Sequence, residues 1–294
     1  MATAWSPLSP LPSSRRHGWL RGTVRRSPRV AASLSPSGSQ DGSPAPAAAV
    51  NPLFLAAHYT VDNFVKSGMV VGLGSGTASL MAIRYLGQRL RVGSLEDIVG
   101  VPTCFSSARE AAKAGIPLKE YEESSRIDMS FDDADMMEKE TLSAVIGRRQ
   151  LSSEESIIQE KMVLEAANNL VFVIPQSTYE GALEGSIPVL VQTLGWMETA
   201  EEIDDLFLGD AEVWRRPSIG HADPMGGRFP LITKEGHNVL DIIFTSPIIS
   251  LAEVAESIDK INGVVDHGIV YKLPCTAVIA SESGISVVDN MQQF

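Results

Sequence analysis

The chain has 294 residues, 44% of them hydrophobic and 20% charged, enough to bury the core of one large domain or two modest ones without a disulfide or metal staple. A formal net charge of −12 argues against a general nucleic-acid or anionic-membrane surface, and no apolar run approaches the ~18 residues of a membrane span. Cys104 and Cys275 lie in strand-like apolar sequence with neither metal-ligand nor disulfide-scaffold spacing, so both read as buried free thiols.

Residues 1–48 hold six Arg, ten Ser and seven Pro but a single acid, Asp41, a composition that cannot bury a core and is expected to be disordered. Arg- and Ser-rich, acid-poor and lacking an apolar stretch, the segment reads as a transit peptide addressed to the chloroplast stroma, with processing near Val30 to Ala32 or further on. The alternative is a tail with no targeting role.

Met69 to Leu73 reads as a buried strand, followed by a helix whose face carries Leu80, Ile83, Leu86 and Leu90. Ile98 to Val101 is a second strand, and the next helix opens at Ser106 or Ser107 and stops at Gly115 and Pro117. Ile127, Met129 and Phe131 alternate into a third strand. A longer helix opens at Ser152 or Ser153 and runs to about Asn169, its buried side carrying Ile158, Met162, Val163, Ala166 and Ala167, before the strand Val171 to Ile174. Strands alternating with helices predict an open, mostly parallel, Rossmann-like sheet with covering helices.

In such sheets ligands sit beyond the carboxyl ends of the strands. After the first strand comes Gly72-Leu73-Gly74-Ser75-Gly76-Thr77, where glycines allow close backbone approach and helix N–H groups face an anion. The spacing fits neither a dinucleotide fingerprint nor a Lys-bearing P-loop, which disfavours a nucleotide cofactor and a Rossmann-type dehydrogenase. After the third strand, Asp132-Asp133-Ala134-Asp135 sets three carboxylates within four residues, whose repulsion solvent, donors or a ligand must relieve; sugar hydroxyls are suitable donors. Read alone, this is also what a solvated acidic loop looks like. No His or Cys lies nearby to support a metal.

These segments, together with Val99 to Thr103, Ala114 to Leu118, Glu160-Lys161-Met162-Val163, Leu194-Gly195-Trp196, Gly236 to Asp241 and Gly263 to Gly268, resemble in order the landmarks of the A-type ribose-5-phosphate isomerases, over roughly residues 53–289. The resemblance implies a larger α/β domain over residues 49–180 and 269–294 and a smaller α+β domain over 181–268. It implies interconversion of ribose 5-phosphate and ribulose 5-phosphate without a metal or organic cofactor, a phosphosugar as the small-molecule partner, and room for a homodimer. Glu160 matches the family's base, Asp132 to Asp135 its substrate-binding run, and Ser75, Gly76, Thr77 and Ala78 its substrate loop. Without the resemblance, Glu160 reads as an ordinary helix-surface acid beside Lys161.

The chain departs from the family pattern at four places. Ala78 replaces a hydroxyl residue, Asp133 replaces a Gly, and the family's Lys-Gly-Gly-Gly loop gives way to a segment around Ile146 to Ser152, a second family Lys falling on Thr178. Losing one charged donor at such a site costs ~3 kcal/mol, about a hundredfold in rate. Arg148 and Arg149 are the candidates to replace those cations, with surface solvation as their alternative. The rival to an active isomerase is therefore a catalytically impaired sugar-phosphate-binding or regulatory paralogue. His58, His237 and His267 read as structural.

Overall fold

The computed structural model describes residues 51–123, 126–148, 156–219, 224–227 and 229–290; the N-terminal targeting segment, Arg149, Ser152 and Ser153 lie outside them. Asn51 opens α1 (Pro52–Phe64), its side chain accepting Leu53 N–H at 3.0 Å, with Pro52 in the first turn where its missing N–H has no partner to lose. Then β1 (Val70–Leu73), α2 (Thr77–Arg91), β2 (Val99–Pro102), α3 (Phe105–Ala114) and β3 (Met129–Asp132) alternate as expected.

Two local expectations change here. The cap of α3 is Cys104 rather than a serine: its sulfur accepts Ser107 N–H at 3.5 Å while Ser107 Oγ accepts Cys104 N–H at 3.2 Å. Strand β3 buries all four residues instead of alternating, because it lies inside the sheet and is covered on both faces.

The two-residue strands β4 (Met136–Met137) and β5 (Ala144–Val145) come next, then α4 (Ile157–Glu165). Helix α4 is shorter than expected and starts later. Its cap is Ser156, whose hydroxyl accepts Gln159 N–H at 3.0 Å, and it buries Ile157, Glu160, Lys161, Val163 and Leu164. Ile158 and Met162, expected inside, instead line a cleft of about 860 Å³ together with Pro102, Cys104, Tyr121 and Lys234. The apolar spacing misleads because two charged residues occupy the inward face.

The chain continues through β6 (Leu170–Pro175), α5 (Gln176–Glu180), β7 (Gly185–Val191), α6 (Trp196–Leu206), β8 (Ala211–Arg215), β9 (Asn238–Phe244), α7 (Leu251–Ile258), β10 (Val264–His267), β11 (Ile269–Val270), β12 (Cys275–Ser281) and β13 (Gly284–Asp289). One sheet has the order β13-β12-β6-β3-β1-β2, all neighbours parallel except the terminal β12/β13 pair. A second, antiparallel sheet runs β10-β7-β9-β8, and a small antiparallel sheet runs β11-β5-β4.

Separate apolar cores support the two larger sheets. Val71, Leu73, Phe131 and Val173 pack with Ala57, Ala82 and Leu86 of α1 and α2. Ile187, Val189, Leu240 and Ile242 pack with Leu251, Ala255 and Ile258 of α7. Each such side chain contributes about 1.5–3 kcal/mol on burial. Cys104 and Cys275 are both buried and unbridged.

Candidate active site

In the parallel sheet β1 runs between β2 and β3, so successive connections leave β1 in opposite directions and a crevice opens at the carboxyl ends of β1 and β3. The register Leu73↔Phe131 sets the loop after β1 level with the loop after β3. Gly74 N–H donates to Phe131 O at 2.9 Å. A Cβ at Gly74 would lie 2.3 Å from Phe131 O and 2.4 Å from Asp132 Oδ1, so only glycine lets the two loops approach this closely. Gly76, at φ +99°, then turns the chain into α2.

The result is a cluster of carboxylates held by backbone. Asp132, fully buried, receives Ser75 N–H at 2.7 Å and Asp133 N–H at 2.8 Å on Oδ1. Its Oδ2 is buried and takes no hydrogen bond from the described residues. Burial, then the charges of Glu160 and Asp133, push the Asp132 carboxyl well above the usual carboxylate range. Asp133 reaches across to α2, accepting Ala78 N–H at 3.0 Å and both the N–H and the hydroxyl of Ser79 at 2.7 Å.

Glu160 enters from the first turn of α4 and is 5% exposed, not the surface acid its sequence context suggests. Ser75 Oγ donates to Glu160 Oε1 at 2.7 Å, so residues 85 positions apart meet at one point. Lys161 does not pair with it. The ammonium turns the other way and binds Asp266 at 2.6 Å, and Asp266 also accepts His267 N–H at 2.7 Å. His267 is buried, accepts Ile269 N–H on Nδ1 at 3.1 Å and sets Nε2 3.2 Å from Asp259; burial, with Lys161 nearby, lowers its pKa to about 4. A neutral imidazole with a proton on Nε2 meets both contacts, which is the structural role expected of it.

Ser75, Ala78, Asp132, Asp133 and Glu160 thus form one hydrogen-bonded group, with Gly76 and the exposed Thr77 at its edge. Three further expected site residues, Ala134, Asp135 and Arg148, make contacts of their own. Ala134 packs in an apolar cluster with Met137 and Phe172. Asp135 accepts Arg148 N–H at 2.9 Å. The Arg148 guanidinium, expected to face a phosphate, instead donates to Ser186 O at 2.5 Å and Glu184 O at 2.7 Å, because the half-buried fork finds carbonyls at the entrance to β7. Two participants went unseen in the sequence. Ser79 was legible as the third residue of α2, where a hydroxyl reaches incoming acceptors; Asp266 carried no local signal, being 105 positions from Lys161.

A sequence profile described as ribose 5-phosphate isomerase A (phosphoriboisomerase A) matches residues 99–284. Among curated relatives, ribose-5-phosphate isomerase A of Gloeobacter violaceus is 34% identical over 226 residues, 76% of this chain and 90% of that protein. Probable ribose-5-phosphate isomerase 3, chloroplastic, of Arabidopsis thaliana is 31% identical, covering 80% of this chain and 81% of its own. The structure of ribose 5-phosphate isomerase A from Methanocaldococcus jannaschii superposes with a TM-score of 0.67 at 28% identity, over 81% of this chain and 98% of that one. The chain belongs to the ribose 5-phosphate isomerase A family, with its mostly parallel α/β sheet and added antiparallel sheet.

Proposed function

We propose that this family member interconverts ribose 5-phosphate and ribulose 5-phosphate, with Glu160 as the base that carries a proton between C2 and C1. The observation that carries this reading is the buried Glu160 carboxylate, oriented by Ser75 Oγ at 2.7 Å beside a fully buried Asp132. Burial first, then the charge of Glu160 and a side-chain hydrogen bond between the two carboxyls, raise the Asp132 carboxyl well above the usual carboxylate range, and we assign the role of acceptor to Glu160.

That division suits the chemistry. Glu160 takes the C2 proton of the open-chain aldose, the electrons move to O1 as a cis-enediolate, and the same proton returns to C1. The hydroxyl proton on O2 must be lost and one gained on O1, an exchange we assign to Asp132, whose carboxyl is raised above the usual range by burial and the Glu160 charge. Glu160→Gln keeps size and removes the acceptor, so kcat should fall by roughly 10²-fold or more while the melting temperature barely moves. Near-normal turnover in that variant would assign the proton to another group.

One observation favours a second reading, a catalytically impaired sugar-phosphate-binding or regulatory paralogue: Arg148 is engaged by carbonyls and Lys161 by Asp266. A coupled isomerase assay on residues 49–294 separates the two, since the paralogue binds ribose 5-phosphate without turnover. We propose further that residues 1–48 address the chain to the plastid, supported by their composition and by the chloroplastic relative. Cytosolic fluorescence from a fusion of that segment would refute it. The division into a larger domain (49–180 and 269–294) and a smaller one (181–268), the phosphosugar partner and a homodimer belong to the same proposal.

A further inference from the structure

Helix α4 has nine residues, fewer than the ~12–15 at which an isolated helix becomes stable, so the direction of Glu160 depends on what grips the helix. Its first turn is gripped from the second sheet. Just before β9 the chain makes a tight turn from Thr233 to His237, closed by Gly236 N–H donating to Thr233 O at 2.9 Å, with Gly236 at φ +88° and its carbonyl held by the Thr193 hydroxyl. Two neighbouring residues of opposite charge reach from this turn to α4. The Glu235 carboxylate accepts the Ser156 hydroxyl, so that a lone pair of the same oxygen is left to cap the helix at Gln159 N–H, 3.0 Å away. The Lys234 ammonium donates to Gln159 Oε1, and the amide nitrogen of that side chain donates to Pro102 O, at the end of β2, at 3.2 Å. Both gripped residues bear directly on the next one: Glu160 N–H donates to Ser156 O at 3.0 Å, and Gln159 immediately precedes it.

We propose that Glu235 and Lys234 are positioning residues for the isomerisation: they fix Ser156 and Gln159, and through them the place of the Glu160 carboxylate in the crevice. This rests on Glu160 acting as the base. Neither side chain is required to touch the sugar or to move a proton. A base works when its oxygen stands about 3–3.5 Å from the reacting atom, and an error of about 1 Å costs up to 10²-fold, so a grip on the first turn is a grip on the rate. Ser75 orients the carboxylate at its tip and Asp266 holds the following residue, Lys161, whereas the turn sets where the helix begins. Lys234 also lines the cleft of about 860 Å³, which gives it a rival role, direct contact with the substrate, that the kinetics separate.

The test measures kcat and KM for ribose 5-phosphate in Glu235→Ala, Glu235→Gln and Lys234→Ala, and repeats Glu235→Ala in the Glu160→Gln background. Glu235→Ala should lower kcat about tenfold and leave KM within about twofold, and Lys234→Ala should do the same to a smaller extent. Glu235→Gln keeps an oxygen for the Ser156 hydroxyl and should recover most of the loss. In the Glu160→Gln background, Glu235→Ala should cost less than about twofold more, because no base is left to misplace. An undiminished tenfold loss there means that the turn only supports the fold and overturns the proposal, as does a kcat unchanged in both alanine variants. A raised KM at constant kcat in Lys234→Ala puts its ammonium on the substrate and overturns its positioning role. If the wild type is inactive, or Glu160→Gln stays active, the reading of Glu160 as base fails, and amide hydrogen exchange decides the grip on α4 by itself: the Gln159 and Glu160 amides should exchange at least about tenfold faster in Glu235→Ala, and unchanged rates overturn the proposal.

Discussion

Helix α4 buries two consecutive charged residues toward two different neighbourhoods, and the contrast between them separates chemistry from architecture. On the Lys161 side, ammonium and carboxylate meet at 2.6 Å and a neutral imidazole fills the next position, so charge is matched locally. On the Glu160 side, the carboxylates of Asp132, Asp133 and Glu160 gather and take backbone and hydroxyl donors. The first arrangement is what a stable helix–sheet junction requires. The second works against stability, since like charges are held together out of water, and such concentrations persist where a ligand or a proton transfer gives them a use. The ion pair tethers α4 to β10, Ser75 tethers it to β1, and between them they fix the rotation that points Glu160 into the crevice.

Removing one half of the matched pair should have the largest effect. Lys161→Ala leaves Asp266 partly buried and unpaired, and chemical denaturation should register a loss of about 3 kcal/mol. If stability is unchanged, the Lys161 side is not the architectural one.

The two neighbourhoods should also respond to pH with opposite sign. His267 has its pKa lowered from 6.5 to about 4, so its contribution is intact above pH 6.5 and is lost as pH falls toward 4, by about 3 kcal/mol in total. Asp132 has its pKa raised, so the stability it contributes is present in acid and is lost as pH rises through the raised value. Melting temperatures from pH 4 to 9 should therefore drop on the acid side in the wild type but less in His267→Asn, and the decline with rising pH should flatten in Asp132→Asn. A variant that flattens the wrong limb would reverse the assignment.

Ser75→Ala should have the smallest effect. It removes one hydrogen bond to Glu160 and leaves the base in place, so kcat should fall about tenfold, the equivalent of ~1.4 kcal/mol, with little change in KM. A loss as large as that of Glu160→Gln would mean that the hydroxyl itself moves a proton.

The parts of this fold that could be read in the sequence are those where one local signal dominates. Val70 to Leu73 followed by Gly74-Ser75-Gly76 announces strand, close approach and helix start together, and the structure has each in that order. The Asp132 to Asp135 run was visible as a charge problem needing a solution, although not the solution in which Asp133 caps α2. The inward face of α4 was illegible because burying Glu160 and Lys161 breaks the apolar period that marks a buried face. Cys104 as a cap was missed because a thiol is an uncommon acceptor at that position. Strands β4, β5 and β11, two residues each, are too short for any alternation to register.

The position of β12 in the parallel sheet imposes a timetable on synthesis. Strand β6 pairs with β3 on one side and with β12 on the other, yet β12 is encoded about 100 residues later. At ~5–20 residues per second, ribosomes leave that gap open for roughly 5–20 seconds. Throughout that interval Val171, Phe172, Val173 and Ile174, all buried in the finished protein, lie on a strand with one unpaired edge. The second sheet, whose strands all fall within residues 185–267, has every partner available before β12 emerges. The nascent chain therefore reaches a stage at which its later half is paired while its earlier half still presents a sticky seam, and that seam is where a holding chaperone would bind and where premature release would seed aggregation.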